Sequence, residues 1–589
     1  MSPQEVTDCA AIYQPLDARK KEIRVVLVYP SINLSTGDQL PVCRLQTASL
    51  LDEPTPHYEA ISYAWGERTG VAPVIINNQH RQQPASAVRV LQRFAPAEGS
   101  EPRRLWIDAI CINQSDVAER NQQVAMMSDV YRNSSQTLVW LGDADANTAA
   151  AFEQIDVVLK DMENELGTAY PTQEQIESCK LYASSYSDRT NRLGDIAAFR
   201  ALLGRSWFSR MWVLQEILLS RAVVCCCGQY RVRWRALSQS IIWGSHPTIA
   251  AFHLADASVF PADLSLAQLL LQGLHLQVSD PKDKIYAGLG LVQRTMNNLP
   301  RRLLSQVDYN RSLCDIYAEA TFAAIVDLGN LRLLEVVEHT RTCTIPSSEE
   351  DPTFPSWLPQ WQRSNVDPRV YGPGRHADAR SPMEGYLRKH CQLWVLGLKG
   401  FVVGEISHTH AMSELIPECG FPGAWAAVQR AKTFAKDSAT KESEDDPIVF
   451  DRLIVDTMAG GFTSEDIWSE STSQAALADI EEFLNGPNRD NLAYSQLLGE
   501  CPGLLQFFGH KRRLFRTSTA GFGMGPGDLR VGDLVVILFG GQAPFVLRRK
   551  PNPGRYSFVG ACYIHDIMHG KAVHEHKASG NPDTMFEIE

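Results

Sequence analysis

Glu216 is the residue best placed for acid–base work. It borders an apolar arc in residues 206–220, where Trp207, Phe208, Met211, Trp212, Leu214, Leu218 and Leu219 share one helical face at 100° per residue. A carboxylate beside such a face can have its proton affinity raised by desolvation, or be held charged by a nearby arginine. In cleavage of a glycosidic-type bond, such a group stabilises developing positive charge or steers a nucleophile. The competing reading is structural: an ion pair from Glu216 to Arg68, Arg205 or Arg210 that braces the helix on a sheet. Further candidates cluster where two apolar runs, residues 58–66 and 105–114, end in polar groups. Asp108 lies inside an apolar strand and must be paired if buried; it either orders the loop after Trp65 and Gly66 or contacts a ligand. Trp65 and Trp212 either stack on a purine or nicotinamide ring or serve as core. Asn113 and Gln114 read as ligand or turn groups, and Ser62, Gly66 and Arg210 count among the ligand-binding candidates.

Other chemistry-bearing residues read as structural. Cys111 is a small buried hydrophobe rather than a nucleophile, since no partner histidine is evident. Cys225, Cys226 and Cys227 cannot all face one metal from a strand, because side chains alternate. His565, His569, His574 and His576 lack the carboxylate signature of a helical zinc site. Residues 521–527, Gly-Phe-Gly-Met-Gly-Pro-Gly, lack the Gly-Lys-Ser/Thr of a phosphate loop and read as a turn. No metal site is expected.

The elements that position these groups follow from periodicity. Short apolar runs closed by turn-formers at 23–29, 58–63, 105–114 and 137–142 read as buried strands. Asp116 and Glu119 have capping-box spacing, and Val124, Met127 and Tyr131 give the following helix an inward face. Residues 74–78 are read as a hairpin, 86–94 as a short helix, and 222–234 as a second hairpin around Gly228. This alternation predicts an α/β fold with a parallel sheet and a site at its carboxyl edge. Residues 1–22 form a lead and 23–235 the α/β domain. A helical extension follows at 236–340, a linker rich in Pro, Gly and charge at 341–390, and a C-terminal β-rich domain at 391–589 with a helical insertion at about 411–500.

Composition limits the function classes. At 589 residues, several domains are expected. A net charge of −12 and a pI near 5.7 argue against nucleic acid as partner, since the basic clusters at 511–513 and 548–550 are short and flank strand-like runs. No secretory signal or membrane span is expected; the best apolar stretch, 534–547, is short and broken by Gly540, Gly541 and Pro544. Thirteen cysteines without a C-x-x-C pair suit free thiols in a reducing, cytoplasmic or nuclear setting.

Six ordered segments resemble the heterokaryon-incompatibility (HET) domain proteins of filamentous fungi. They are Tyr58-Glu59-Ala60-Ile61-Ser62-Tyr63-Ala64-Trp65-Gly66, Leu105-Trp106-Ile107-Asp108-Ala109-Ile110-Cys111-Ile112-Asn113-Gln114, Glu119-Arg120 with Gln123-Val124, Val139-Trp140-Leu141-Gly142, residues 205–216, and Asp283-Lys284-Ile285-Tyr286-Ala287. Residues 516–517, 521–526, 532–533 and 544–548 are similar to the C-terminal β region of large members. The resemblance implies a distantly TIR-like, flavodoxin-like domain. It also implies a role in non-self recognition and programmed cell death, protein partners of incompatibility signalling, self-association and a cytoplasmic location. TIR domains include members that hydrolyse NAD with one glutamate. The resemblance therefore also implies an NAD-cleaving alternative, with NAD as substrate and Glu216 as its carboxylate binding the ribose. The residues establish no resident cofactor. A metabolic enzyme on the same scaffold is a further alternative.

Overall fold

Strand β1 (Glu22–Asn33) carries the longest apolar run of the N-terminal region, and it forms the spine of the first sheet. It pairs antiparallel with β2 (Gln39–Ser49) on one edge and with β6 (Arg103–Trp106) on the other. The computed structural model describes residues 12–168, 196–244, 250–255, 265–292, 307–337, 354–361, 383–411 and 512–589, apart from short gaps inside these ranges, and a few isolated residues between them. Most of the expected insertion at about 411–500, most of the expected linker, Arg68, His565 and His569 lie outside the described residues. Two compact units are present. One comprises residues 1–176 and 186–313, the other residues 177–185 and 314–589.

In the first unit, nine described strands run in the order β5-β4-β2-β1-β6-β3-β7-β8-β9. Strands β3 (Glu59–Tyr63), β7 (Thr137–Trp140) and β8 (Val223–Cys227) run parallel with one another and with β6. The expected parallel sheet is thus only its centre. The flanks are mainly antiparallel: β1 against β2 and β6, β8 against β9 (Tyr230–Arg233), and the hairpin β4 (Val71–Ile76) to β5 (Gln79–Pro84), with β4 joined to β2 by a short parallel pairing. The cause is local. Residues 31–49 extend β1 and return as β2, and a short connection can only return a strand antiparallel.

Helices cover the sheet. α1 (Ala85–Phe94) buries Ala87, Val88, Val90, Leu91 and Phe94. The run 105–114 is not one strand: β6 stops at Trp106, and Asp108 opens a single helical turn, α2 (Asp108–Cys111). The Asp108 carboxylate accepts from the Ala109 amide at 2.7 Å, a local bond that favours a helix start over extended backbone. α3 (Val117–Asn133) begins as expected, with Asp116 accepting from the amides of Ala118 and Glu119. The capping box does not close, because Glu119 turns instead to Arg24 of β1 at 2.6 and 2.9 Å and to the Asn113 amide at 2.7 Å. Arg24 and Glu119 are both buried, so this pair links sheet, helix and the loop between them. α4 (Thr148–Leu166), α5 (Ala197–Leu203), α6 (Val213–Leu218), α7 (Trp234–Gly244), α8 (Leu266–Gln272) and α9 (Asp283–Val292) complete this unit.

The second unit is β-rich, as expected. Its organiser is β11 (Leu393–Ala411), whose successive parts pair with β10 (Gly385–His390), β18 (Thr584–Ile588), β14 (Leu534–Leu538) and β12 (Arg512–Thr517). β14 pairs with β15 (Phe545–Arg549), β15 with β16 (Arg555–Ala561), and β16 with β18. Strands β11, β14, β15, β16 and β18 therefore close a ring, which leaves none of them an open edge along its paired stretch. Residues 522–526, within the expected glycine turn, form the buried strand β13 (Phe522–Pro526), flanked by β12 and β17 (Tyr563–Ile564). Glycine is required there by approach rather than by turning: a Cβ at Gly523 would meet the Tyr563 carbonyl oxygen at 2.5 Å. No helix among the described residues is long and apolar enough to cross a membrane.

Candidate functional site

The carboxyl ends of β3 and β6 open onto a cleft of about 830 Å³ in the first unit. On one wall stand Trp65, Gly66 and Asp108, and on another Arg210, Trp212 and Glu216. Gly66 sits at φ +67°, where the chain leaves Trp65 in a left-handed turn that disfavours a side chain.

A break in the expected helix aims this second wall. The periodicity of residues 206–220 predicts one helix, but they form a 3-10 turn (Ser206–Ser209) and then the short α6. Between them Arg210 is extended (φ −82°, ψ 132°) and bridges Gln277, while the Met211 amide donates to the Gln277 carbonyl at 2.9 Å. The tertiary pairing with residue 277 overrides the local helical pattern. It turns the Arg210 guanidinium onto the Tyr63 carbonyl at the end of β3 and brings it to 4.0 Å from Glu216.

Glu216 is 2 % exposed, yet it borders the cleft. Ser62, pointing from β3, donates its hydroxyl to Glu216 Oε2 and accepts the Trp207 indole N–H at 2.7 Å. Burial pushes the Glu216 carboxyl up to about 7. Arg210 and the Ser62 hydroxyl pull it back down, and nearby Asp108 adds to the rise. A group balanced there can hold or release a proton near neutrality. Asp108 is also raised by burial, against the lowering effects of Arg210, the Trp65 indole and the Ala109 amide. Its Oδ2 accepts from Trp65 Nε1 at 2.9 Å, so one carboxylate fixes one indole.

The far side of the cleft lies outside the candidate residues of the sequence. Asp283, at the start of α9, accepts Trp212 Nε1 at 3.0 Å on Oδ2 and the Tyr309 hydroxyl at 2.5 Å on Oδ1. Burial still lifts it to about 6. Arg120 of α3 lies over the Tyr309 ring at 4.7 Å. The only sequence signal for this wall is the motif Asp283-Lys284-Ile285-Tyr286-Ala287, whose residue types name no chemistry by themselves. Lys284 is buried and donates to the carbonyls of Gly273, Leu274 and Leu276, which explains the motif's lysine structurally.

The structure thus brings Ser62, Trp65, Gly66, Asp108, Arg210, Trp212 and Glu216 together. Asn113 is not among the residues lining the cleft; its side chain accepts from Ser115 at 2.7 Å. Gln114 takes that place, with its amide on the Asp108 carbonyl at 3.0 Å. Cys111 is buried and its thiol is pushed up to about 12, so it stays protonated near neutrality. Among the described residues no group of His, Cys, Asp and Glu could hold a metal ion. His576 stacks on Phe401 at 3.9 Å and meets Asp583 at 3.0 Å.

Residues 58–216, the stretch from Tyr58 of the β3 wall to Glu216, match the family model of heterokaryon incompatibility proteins (HET). Residues 503–579, most of the ring-forming strands after β11, match the Het-6 β-barrel domain. The chain carries a HET domain. It is 25% identical to the heterokaryon incompatibility protein 6, OR allele, of Neurospora crassa, an alignment that covers 90% of this chain and 91% of that one. No solved structure matches it. The HET match ends at Glu216, so the cleft draws residues 277–281, Asp283 and Tyr309 of its far wall from beyond the matched stretch.

Proposed function

We propose that this HET protein acts in fungal non-self recognition, with its HET unit as a TIR-like effector that triggers programmed cell death when unlike cells fuse. The likeness along nine-tenths of the chain to an incompatibility protein of Neurospora crassa carries this reading, because it spans both the cleft-bearing unit and the barrel. The protein would work in the cytoplasm with protein partners of incompatibility signalling and by self-association. Expression in a filamentous fungus of opposite specificity should arrest growth and kill fused compartments. Viable, freely growing fusions at matched protein levels would remove this reading.

One observation favours a chemical mode of action. Glu216 lies in a cleft with two tryptophans and has a carboxyl balanced near neutral pH. In this reading the cleft hydrolyses the C–N glycosidic bond of NAD. The bonding electron pair leaves with nicotinamide, Glu216 stabilises the positive charge growing on the ribose, and water supplies the hydroxyl of ADP-ribose and releases a proton. Purified protein should release nicotinamide from NAD, and Glu216→Gln should abolish release while circular dichroism stays unchanged. Absence of turnover in concentrated and in oligomerised samples would sink this mode of action and leave the recognition role standing.

A further inference from the structure

Two indole–carboxylate pairs share one cleft: Trp65 with Asp108, and Trp212 with Asp283. In each, the indole N–H is used by its carboxylate, so the ring is fixed in orientation before any ligand arrives. The charges along the cleft are unequal. Asp108, Glu216, Asp280 and Asp283 line it, against the two guanidiniums of Arg120 and Arg210. Arg210 is engaged by the Tyr63 carbonyl and Glu216, and Arg120 lies over the Tyr309 ring. Fixed indoles beside surplus carboxylates suit a flat cation, because the electron-rich ring face and the carboxylate attract the same positive charge. Asp283 takes one side-chain donor on each oxygen, the Trp212 indole and the Tyr309 hydroxyl.

We propose that Asp283, together with Trp212, forms a subsite of this cleft for a flat, positively charged heteroaromatic ring of the pyridinium class. Its carboxylate lies beyond the matched HET stretch and its indole within it, and the pair gives the cleft its selectivity for charge. This deepens the nucleotide-cleavage reading and rests on it only for the identity of the natural ligand. The groups that face Asp283 are Asp280, which raises its carboxyl, and Tyr309, Trp212 and Arg120, which lower it.

Two probes separate charge from shape: 1-methylnicotinamide, a pyridinium cation, and nicotinamide, the same ring without the charge. Calorimetry on the full-length protein should show the cation bound about ten-fold more tightly. Asp283→Asn should erase that preference while leaving the weak affinity for nicotinamide. Affinity for the cation should rise with pH through about 6 as Asp283 ionises. Tyr309→Phe removes a hydrogen bond to the ionised form and should move that midpoint upward. Equal affinity for the two probes, equal loss of both in Asp283→Asn, or no binding of either overturns the subsite. The two readings fail separately. Selective cation binding without nicotinamide release from NAD removes cleavage and keeps the subsite. Release that survives in Asp283→Asn, without probe selectivity, removes the subsite and keeps cleavage.

Discussion

Glu216 meets both readings of its residue type at once. It is held by Arg210 and Ser62 as a structural carboxylate would be, and it borders a cleft as a working one would. Its raised carboxyl has a thermodynamic consequence. A glutamate titrates near about 4.3 in an unfolded chain and at about 7 here, so the folded state binds more protons between those values. Stability from this residue is therefore full below the unfolded value and is lost as pH rises through about 7. Glu216→Gln escapes that loss. In a melting series the variant should exceed the parent under mildly alkaline conditions, and the gap should close as the solution is acidified toward the unfolded value. A gap independent of pH would mean that Glu216 takes up its proton alike in the folded and unfolded chain. Glu216, Trp65 and Asp108 were legible in the sequence because each sits in or beside a short apolar run. Asp283 and Tyr309 were not. They lie far along the chain from Glu216, folding alone brings them to the cleft, and no periodicity connects them to it.

At the scale of elements, two contacts lend themselves to substitution. The Arg24–Glu119 pair ties β1 to α3 with both partners buried. Glu119→Ala leaves the guanidinium uncompensated and should cost about 3–5 kcal/mol, read from urea unfolding midpoints. An effect under about 1 kcal/mol, the range of surface pairs, would show that water reaches Arg24 freely. In the barrel, Gly400 lies where β11 meets β14 and β18 at one residue, and a Cβ there would run into the Ile537 carbonyl oxygen. Gly400→Ala should destabilise the second unit by about 1–3 kcal/mol, and an unchanged barrel melting transition would refute that packing. These elements also mark where sequence reading stopped. The apolar strands β3 and β7 and the hairpin at Gly228 were visible at nearly their true bounds. The helix break at Arg210 was not, because the residue that imposes it is Gln277. β13 was not, because its Gly523 serves close approach to Tyr563, which no local pattern reveals.

For the chain as a whole, the folding units are larger than the recognisable stretches. Residues 58–216 omit β1 and β2, which complete one side of the sheet, and β8 and β9, which complete the other. A fragment cut at those limits leaves β6 and β7 with bare edges and should aggregate. A fragment of residues 1–313, which keeps all nine strands, should stay dispersed with cooperative melting in light-scattering and calorimetric assays. Equal solubility of the two fragments would contradict the sheet order. The cleft's divided origin reaches further, into inheritance. Asp108 and Glu216 lie inside the stretch that ends at Glu216, and Asp280 and Asp283 lie outside it. A crossover between alleles anywhere in the intervening chain would marry one parent's Glu216 to the other parent's Asp283, so recombination redraws this cleft rather than handing it on whole.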